Sequence, residues 1–159
     1  MRIGILSDTH DNLPKIREAL SFFASRGARV LIHAGDFGAP FALKEVLEFE
    51  GPVHAVLGNN DGEREGLRKL LPRLDAAPLR LQISGRTLVV AHDEKALTQS
   101  NRAGVDVVVV GHTHRAEIRP GEPMLLNPGE CGGWLTGVCT VMTLETDTLE
   151  VHIHELGKT

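Results

Sequence analysis

The chain has 159 residues, enough for one domain with a sizeable buried core, and we expect residues 1–159 to form a single domain. Its formal net charge of −4 and the lack of a basic run exclude an obvious nucleic-acid-binding surface, and no apolar run is long enough to span a membrane. Two cysteines, Cys131 and Cys139, are too few for a disulfide framework, so we expect reduced thiols and a cytoplasmic location.

The first half of the chain alternates short apolar strands with amphipathic helices. Residues 2–7 are typical of a buried strand, and Asn12 with Pro14 predicts the start of a helix that ends near Ser25. The next predicted elements are a strand at 29–33, a helix over about 40–49, a strand at 53–57 and a short helix at 62–70. This alternation favours parallel strands with helices on the sheet faces.

The second half is richer in antiparallel strands. Two apolar runs flank the turn sequence at residues 84–86 and predict a hairpin. The following predicted elements are a helix near 94–102, a strand at 105–111, and short strands within 116–120, 123–127, 134–144 and 148–155. We therefore expect an α/β fold in which two mixed sheets pack face to face with helices outside.

Polar residues collect directly after the predicted strands. In chain order they are Asp8, His10, Asp36, Asn59, Asn60, Asp61, His92, Asp93, His112 and His114. Ligands bind beyond the carboxyl ends of strands in sheets of this type. Asp8 and His10 are two residues apart, as are His112 and His114, so an extended backbone would point each pair to one side. If the strands are neighbours, these side chains form one site.

The chemistry of this set indicates a metal centre. It combines carboxylates, an amide and imidazoles without cysteine, which suits manganese, iron or zinc rather than copper(I) or an iron–sulfur cluster. The set is too large for one tetrahedral ion, but with Asp36 shared between two ions it gives each of them four protein ligands. Two ions about 3.5–4 Å apart are a standard arrangement for phosphoester hydrolysis, in which they lower the pKa of a bridging water and the resulting hydroxide attacks phosphorus.

Five motifs in this order resemble those of the calcineurin-like metallophosphoesterase family. They are SDTH at 7–10, AGD at 34–36, GNND at 58–61, AHD at 91–93 and GHTH at 111–114, and LNPGE at 126–130 extends the similarity. The chain looks like the small single-domain bacterial and archaeal phosphodiesterases of this family, and the retromer subunit shares their fold. The resemblance implies a four-layer α/β/β/α sandwich.

The resemblance also implies two metal-ligand sets. The first ion would take Asp8, His10, Asp36 and His114, and the second would take Asp36, Asn59, His92 and His112. The implied activity is hydrolysis of a small-molecule phosphodiester by a metal-bridging hydroxide. Asp36, Asn59, Asn60 and Asp61 are the expected catalytic residues, and Asn59 and Asn60 are also expected to contact the substrate, with Asn59 helping to position the phosphate. We expect two divalent ions, Mn²⁺ first, with Ni²⁺, Fe²⁺ and Zn²⁺ as alternatives, and relatives suggest a homodimer or homotetramer.

One departure from the family pattern concerns catalysis. Many members have a histidine where this chain has Asn60, and that histidine is thought to protonate the leaving group. An amide cannot act as a general acid, so we expect a preference for diesters or for esters with good leaving groups. Asp61 would normally orient the missing histidine, and here it is free to cap the following helix.

Several residues near the motifs allow two interpretations each. Arg115 either binds a substrate phosphate or is solvated, Glu130 either narrows the substrate cleft or is solvated, and Asp93 either supports His92 or is a loop carboxylate. Trp134 either packs against the second sheet or a subunit, or stacks on a nucleobase. His33 and His54 are expected to be structural, and His152 and His154 to share an exposed sheet face.

The leading functional hypothesis is a dinuclear metal-dependent phosphodiesterase. One alternative is a non-catalytic metal-binding or protein-interaction scaffold like the retromer subunit, in which the fold persists without turnover. Another is a nuclease or nucleotidase. The complete set of predicted ligands argues against the scaffold, and the lack of a basic stripe argues against the nuclease.

Overall fold

The computed structural model describes residues 1–74 and 77–157, and its strands form two mixed sheets. The strands are β1 (Arg2–Leu6), β2 (Val30–His33), β3 (Val53–Ala55), β4 (Leu79–Ile83), β5 (Arg86–Val90), β6 (Val107–Val109), β7 (Ala116–Arg119), β8 (Met124–Pro128), β9 (Thr140–Glu145) and β10 (Val151–Glu155). The helices are α1 (Leu13–Ser25), α2 (Pro40–Val46), α3 (Arg64–Leu70) and α4 (Gln99–Arg102), and Glu94–Ala96 form a turn of 3-10 helix.

Each sheet has a parallel part with antiparallel strands beside it. The first sheet has the order β10-β9-β1-β2-β3, in which β1, β2 and β3 are parallel. The second has the order β4-β5-β6-β8-β7, in which β5, β6 and β8 are parallel and the two edge strands are antiparallel. The parallel strands of each sheet therefore bring their carboxyl ends to one edge, where the motif residues follow them.

The core between the sheets follows from the alternation of side chains along the strands. Ile3 and Ile5 of β1 are buried in the same apolar cluster as Val107 and Val109 of β6. Gly4 faces the other way, and a Cβ atom there would lie 2.8 Å from the ring of Phe23. Glycine at this position lets α1 pack closely on the sheet.

Helical segments cover the outer faces of both sheets. Apolar residues of α1, α2 and α3 form one buried cluster with the outer face of the first sheet. On the second sheet, Val89, Val108 and Leu125 form a smaller cluster with Leu97 from the segment that joins the 3-10 turn to α4. The arrangement confirms the predicted α/β sandwich of two mixed sheets flanked by helices.

Most predicted elements agree with the structure within three residues at either end, and two differ more. The helix predicted near 94–102 is divided, because the Thr98 side chain accepts the N–H of Asn101 while the Asn101 side chain accepts the N–H of Thr98. This reciprocal cap starts a new helix. The strand predicted at 134–144 begins only at Thr140, since residues 131–139 form a loop.

Both Cys131 and Cys139 are buried free thiols. In the described ranges, no helix combines the length and apolarity needed to cross a membrane.

Candidate metal centre

Polar side chains from both sheets converge beyond the carboxyl ends of their parallel strands. Asp8, His10 and His114 offer ligand atoms that all lie within 4.8 Å of one another. Asp8, Asp36 and His92 form a second such group, with Asp8 common to both. We call the two groups together with Asn59 and His112 the metal-ligand cluster.

The two aspartates join histidines that come from different sheets. Oδ1 of Asp8 lies 3.4 Å from Nε2 of His114 and 3.8 Å from Nε2 of His10. Oδ2 of Asp36 lies 3.7 Å from Nε2 of His10 and 3.3 Å from Nε2 of His92. The cluster is therefore built around two neighbouring carboxylates.

Asn59 connects the remaining histidines to the cluster. Its Oδ1 atom lies 2.9 Å from Nε2 of His92 and 3.0 Å from Nδ1 of His112. The backbone N–H of His112 donates to Oδ2 of Asp8 over 3.2 Å. All seven sequence-predicted positions thus lie together. Asp36, the predicted shared ligand, lies between His10 and His92, and Asp8 also belongs to both groups.

The backbone that aims these side chains is left-handed, not extended. The φ angles are 53° at Asp8, 41° at His10, 59° at Asp36, 70° at His112 and 60° at His114. The prediction that an extended backbone points each pair to one side is therefore wrong. Left-handed residues other than glycine cost about 1–3 kcal/mol each and concentrate at functional sites. Asp and His tolerate this region better than most residues do.

Three motif glycines provide space for side chains on neighbouring strands. A Cβ atom at Gly35 would lie 2.7 Å from Nδ1 of His92, and one at Gly111 would lie 2.9 Å from Oδ2 of Asp8. A Cβ atom at Gly58 would overlap Oδ1 of Asp36. Each of these glycines precedes one candidate ligand in the sequence and makes room for another.

The charges within the cluster support one another. Burial alone would raise the pKa of Asp36, but hydrogen bonds from His92 and Asn60 hold it below its usual value. Burial alone would lower the pKa of His92, but the Asp36 carboxylate raises it. The Asp8 carboxylate likewise raises the pKa of His10. The two carboxylates therefore favour positive charge at this site.

Unpartnered buried atoms make the cluster fit a divalent cation. Oδ1 of Asp8 and Nε2 of His10 are buried and have no hydrogen-bond partner among the described residues, and Nδ1 of His114, which also has none, faces Glu130 rather than the two aspartates. Leaving such atoms unsatisfied is costly in a folded protein, so they mark places where another species binds. Carboxylate, amide and imidazole donors without thiolate suit divalent ions such as manganese, iron or zinc.

Asn60 forms hydrogen bonds to the metal-ligand cluster. Its backbone N–H donates to Oδ1 of Asp36 and its side-chain Nδ2 donates to Oδ2, each over 2.8 Å. Both oxygens of Asp36 are thereby oriented by one residue. The sequence predicts Asn60 as a catalytic and substrate-binding residue that lacks the family's acid, but it gives no sign of this contact with Asp36.

Asp61 joins the loops that follow β2 and β3. It is buried and accepts the N–H groups of Asp36 (3.0 Å), Gly38 (3.0 Å) and Gly58 (2.7 Å). Burial raises the pKa of this carboxyl group above its usual value. The suggestion that Asp61 caps the next helix is wrong, because Glu63 occupies the cap position of α3.

Glu130 and Trp134 lie beside the metal-ligand cluster, in agreement with the interpretation that placed Glu130 at the substrate cleft. Glu130 is fully buried, so its interpretation as a solvated residue is wrong, and its Oε1 atom lies 3.3 Å from Nδ1 of His114. Trp134 is 65% exposed and donates from Nε1 to the carbonyl of His10 over 2.9 Å, so it does not pack against the second sheet. The sequence signal is weak, because Glu130 ends the LNPGE segment and Trp134 follows it by four residues.

His33 is structural, as predicted, but it lies directly beneath the cluster. Its Nδ1 atom accepts the N–H of Gly35 over 3.2 Å, and its Nε2 atom lies 3.1 Å from Oγ1 of Thr9. Complete burial lowers the pKa of His33 to about 3. The ring is therefore neutral, with its proton on Nε2 directed at Thr9.

The remaining residues named in the sequence analysis that are described here lie outside the metal-ligand cluster. Asp93 is a loop carboxylate that accepts the N–H of Lys95, at the start of the 3-10 turn. The Arg115 side chain is exposed, and contact with a substrate phosphate stays a prediction. His152 and His154 share one face of β10 with ring centroids 6.1 Å apart.

Comparison with known proteins places this geometry in a family. The model of the calcineurin-like phosphoesterase superfamily domain matches residues 1–149. A protein named as a phosphodiesterase, from Methanocaldococcus jannaschii, is 36% identical over 159 residues, which cover 94% of this chain and 96% of that protein.

Solved structures agree with this result. The structure of an archaeal phosphodiesterase has a TM-score of 0.87 and 34% identity, and the match covers 98% of this chain and 100% of that chain. Vps29 of Entamoeba histolytica, solved with zinc, has a TM-score of 0.72 and 22% identity, covering 98% of this chain and 91% of that chain, which shows similarity of fold alone. The chain belongs to the calcineurin-like phosphoesterase superfamily, as its five motifs indicated.

Proposed function

We propose that this chain is a phosphodiesterase that depends on two divalent metal ions held by a single domain. The observation that carries the proposal is the pair of buried carboxylates, Asp8 and Asp36, set between histidines of both sheets with unpartnered atoms at their centre. Two buried carboxylates this close together are costly unless positive charge compensates them, and a bound cation supplies that charge. The similarity to a phosphodiesterase over 94% of this chain supports the same activity.

The residues divide into two ligand sets. Asp8, His10, Asp36 and His114 hold one ion, and Asp36, Asn59, His92 and His112 hold the other. The mixture of oxygen and imidazole donors favours Mn²⁺, with Fe²⁺, Ni²⁺ and Zn²⁺ as competitors. Bound ions of this type neutralise phosphoryl oxygens and lower the pKa of water, which makes hydrolysis at phosphorus accessible near neutral pH.

The chain's own residues position the reacting groups. Asn60 orients both oxygens of Asp36, and Asp61 ties the backbone before Asn59 to the backbone of Asp36. No nucleophilic side chain is needed in this scheme, and none is assigned. Asn59 positions the phosphate in addition to its role as ligand.

The preference for diesters rests on Asn60. An amide cannot protonate an alkoxide leaving group, and the side-chain amide of Asn60 already donates to Asp36. Monoesters with poor leaving groups depend most on such an acid, so they are poor substrates. We propose a small phosphodiester as the substrate class.

The test compares two aspartate variants. Asp36→Asn removes a shared charged ligand and is expected to abolish manganese-dependent hydrolysis of bis(p-nitrophenyl) phosphate and to lower the bound metal content. Asp93→Asn is the control, because Asp93 caps the turn beside His92 without joining the cluster. Full activity in Asp36→Asn would overturn the scheme. If the wild-type protein bound metal but hydrolysed no diester with manganese, nickel, zinc or magnesium, the scaffold function would be correct instead.

A further inference from the structure

The loop between β8 and β9 is fixed at the edge of the metal-ligand cluster by Glu130. The buried Glu130 carboxylate accepts the N–H of Leu135 over 3.0 Å, and the N–H and hydroxyl of Thr136 over 2.9 Å each. At its beginning, the loop donates the N–H of Gly132 to the carbonyl of Asp8 over 3.0 Å. Because charge-assisted hydrogen bonds are strong, this loop has a defined conformation.

Two large apolar side chains of this loop are left exposed side by side. Trp134 is 65% exposed and Leu135 is 79% exposed. The indole N–H of Trp134 already donates to the carbonyl of His10 over 2.9 Å, so the ring is fixed in place. Together the two side chains form an apolar patch at the edge of a polar site, which a ligand with an apolar group can cover. We call Trp134 and Leu135 the apolar wall.

The apolar wall borders a cavity at the cluster itself. The cavity has a volume of about 310 Å³ and is lined by His10, Asn60, His114, Glu130, Trp134 and Leu135. The rings of His10 and His114 are stacked there, with centroids 5.2 Å apart. A group attached to a phosphorus atom bound at the cluster can therefore reach the wall within one cavity.

We propose that the apolar wall receives a flat aromatic ester group of the substrate, an inference that rests on the proposed phosphodiesterase function. A diester carries two organic groups, and the cluster engages only the charged phosphate between them. An aromatic ring stacks favourably on an indole fixed in place, because little conformational freedom is lost on binding. The wall thus selects aryl or nucleobase-bearing diesters over short alkyl diesters.

The location of the wall argues for a small ligand rather than a protein partner. Trp134 and Leu135 share their cavity with two candidate metal ligands, so one molecule can occupy the wall and the cluster together. A phosphodiester with an aromatic group can contact both, because its phosphate binds at the cluster and its aromatic group packs on the wall.

The first test uses Trp134 as its own reporter. It is the sole tryptophan and the chain has no tyrosine, so intrinsic fluorescence reports this position. Titration of the zinc-loaded protein with diphenyl phosphate is expected to change the emission and to give a dissociation constant at least about fivefold lower than that of dimethyl phosphate. Leu135→Ala should weaken the binding of diphenyl phosphate severalfold and leave the affinity for dimethyl phosphate unchanged.

The second test measures turnover with one leaving group and two different spectator groups. The wild-type ratio of kcat/KM for bis(p-nitrophenyl) phosphate to that for methyl p-nitrophenyl phosphate should fall at least about fivefold in Trp134→Ala. Trp134→Phe keeps an aromatic face and should largely restore the ratio. Val138→Ala is the control, because Val138 is exposed on the same loop but does not line the cavity.

The tests can disprove the role of the apolar wall and the proposed phosphodiesterase activity independently. Equal binding of diphenyl and dimethyl phosphate without a fluorescence change, or an equal loss with both substrates in Trp134→Ala, would overturn the wall even in an active enzyme. If no diester is hydrolysed but diphenyl phosphate still binds preferentially and Leu135→Ala removes the preference, the wall stands and the proposed activity fails.

Discussion

Oε1 of Glu130 lies 3.3 Å from Nδ1 of His114, on the opposite side of the imidazole from Asp8, which faces Nε2 at 3.4 Å. His114 is therefore placed between a carboxylate of the metal-ligand cluster and a buried carboxylate outside it. Carboxylates behind metal-binding histidines fix the ring orientation and raise the basicity of the ligand. The relationship makes Glu130 a positioning residue for His114.

Replacement of Glu130 by glutamine is expected to weaken metal binding about tenfold or more. Glutamine keeps an oxygen that can accept the N–H groups of Leu135 and Thr136, but it removes the charge next to His114. Isothermal titration of metal-free protein with zinc measures the change without reference to turnover.

A matched variant separates this role from support of the loop. Thr136→Val removes the hydroxyl bond to Glu130 but leaves the carboxylate beside His114. We expect it to alter the fluorescence of Trp134 while the zinc affinity stays within about twofold of wild type, the range of a surface change. Equal loss of zinc affinity in both variants would show that Glu130 acts only through the loop.

Gly58→Ala is expected to disrupt the cluster through sterics. A Cβ atom at Gly58 would overlap Oδ1 of Asp36. Hydrogen bonds from Asn60 hold that carboxylate, and the backbone N–H of Asp36 donates to Asp61, so Asp36 has little room to move. Metal affinity should fall at least about tenfold, and the rise in Tm on adding manganese should shrink accordingly.

Gly62→Ala is the control for this effect. A Cβ atom at Gly62 would have no neighbour within 4 Å, so this variant should bind metal and gain thermal stability as wild type does. A normal metal-induced rise in Tm in Gly58→Ala would contradict the close approach seen in the structure.

Asn60→His is expected to extend activity toward phosphomonoesters. Histidine can protonate a leaving group, and general acid catalysis contributes about 10²–10⁴-fold when the leaving group is poor. Turnover of phenyl phosphate and alkyl phosphates should therefore rise more than turnover of p-nitrophenyl phosphate. If neither aryl nor alkyl monoesters are hydrolysed faster, the explanation of Asn60 is wrong.

A second variant at this position addresses its hydrogen bond. Asn60→Ala removes the side-chain donor to Asp36 without adding an acid. We expect lower activity on diesters and no gain on monoesters. Comparison of the two variants separates the effect of an added general acid from the effect of losing the hydrogen bond that orients Asp36.

The sequence predicted the members of the cluster because its signals are local. Each motif places a glycine or an apolar strand next to a candidate ligand, and parallel strands must bring their ends together. The same local reasoning failed at the backbone, since the spacing of Asp8 and His10 or of His112 and His114 does not reveal that these residues have left-handed φ angles. The prediction that the two side chains of each pair point to one side therefore assumed the wrong backbone conformation.

Glu130 and Trp134 show the other limit of local reasoning. A glutamate followed by two glycine-rich turns gives no signal of complete burial, because burial depends on the loop folding back over the carboxylate. The position of Trp134 depends in turn on the carbonyl of His10, which is distant in sequence. Long-range contacts of this kind become visible only in the folded chain.

His33 makes the metal-free protein less stable in acid. Burial lowers its pKa from the ordinary value of 6.5 to about 3 in the folded state. Between these values the unfolded chain binds a proton that the folded chain excludes, so the free energy of unfolding falls as the pH drops through this window, by up to about 1.4 kcal/mol per pH unit. Above about pH 6.5 the effect is absent.

The contribution of His33 is measured by difference. Urea unfolding of metal-free protein between about pH 4 and pH 7 gives the slope for wild type, to which His10 and His92 also contribute. His33→Gln removes one titrating group and leaves the others in place, so its free energy of unfolding should depend less on pH by close to one proton. His152→Gln is the control for the substitution itself, because His152 is exposed on β10 rather than buried. Identical slopes for wild type and His33→Gln would mean that His33 takes up its proton in the folded state as readily as in the unfolded chain.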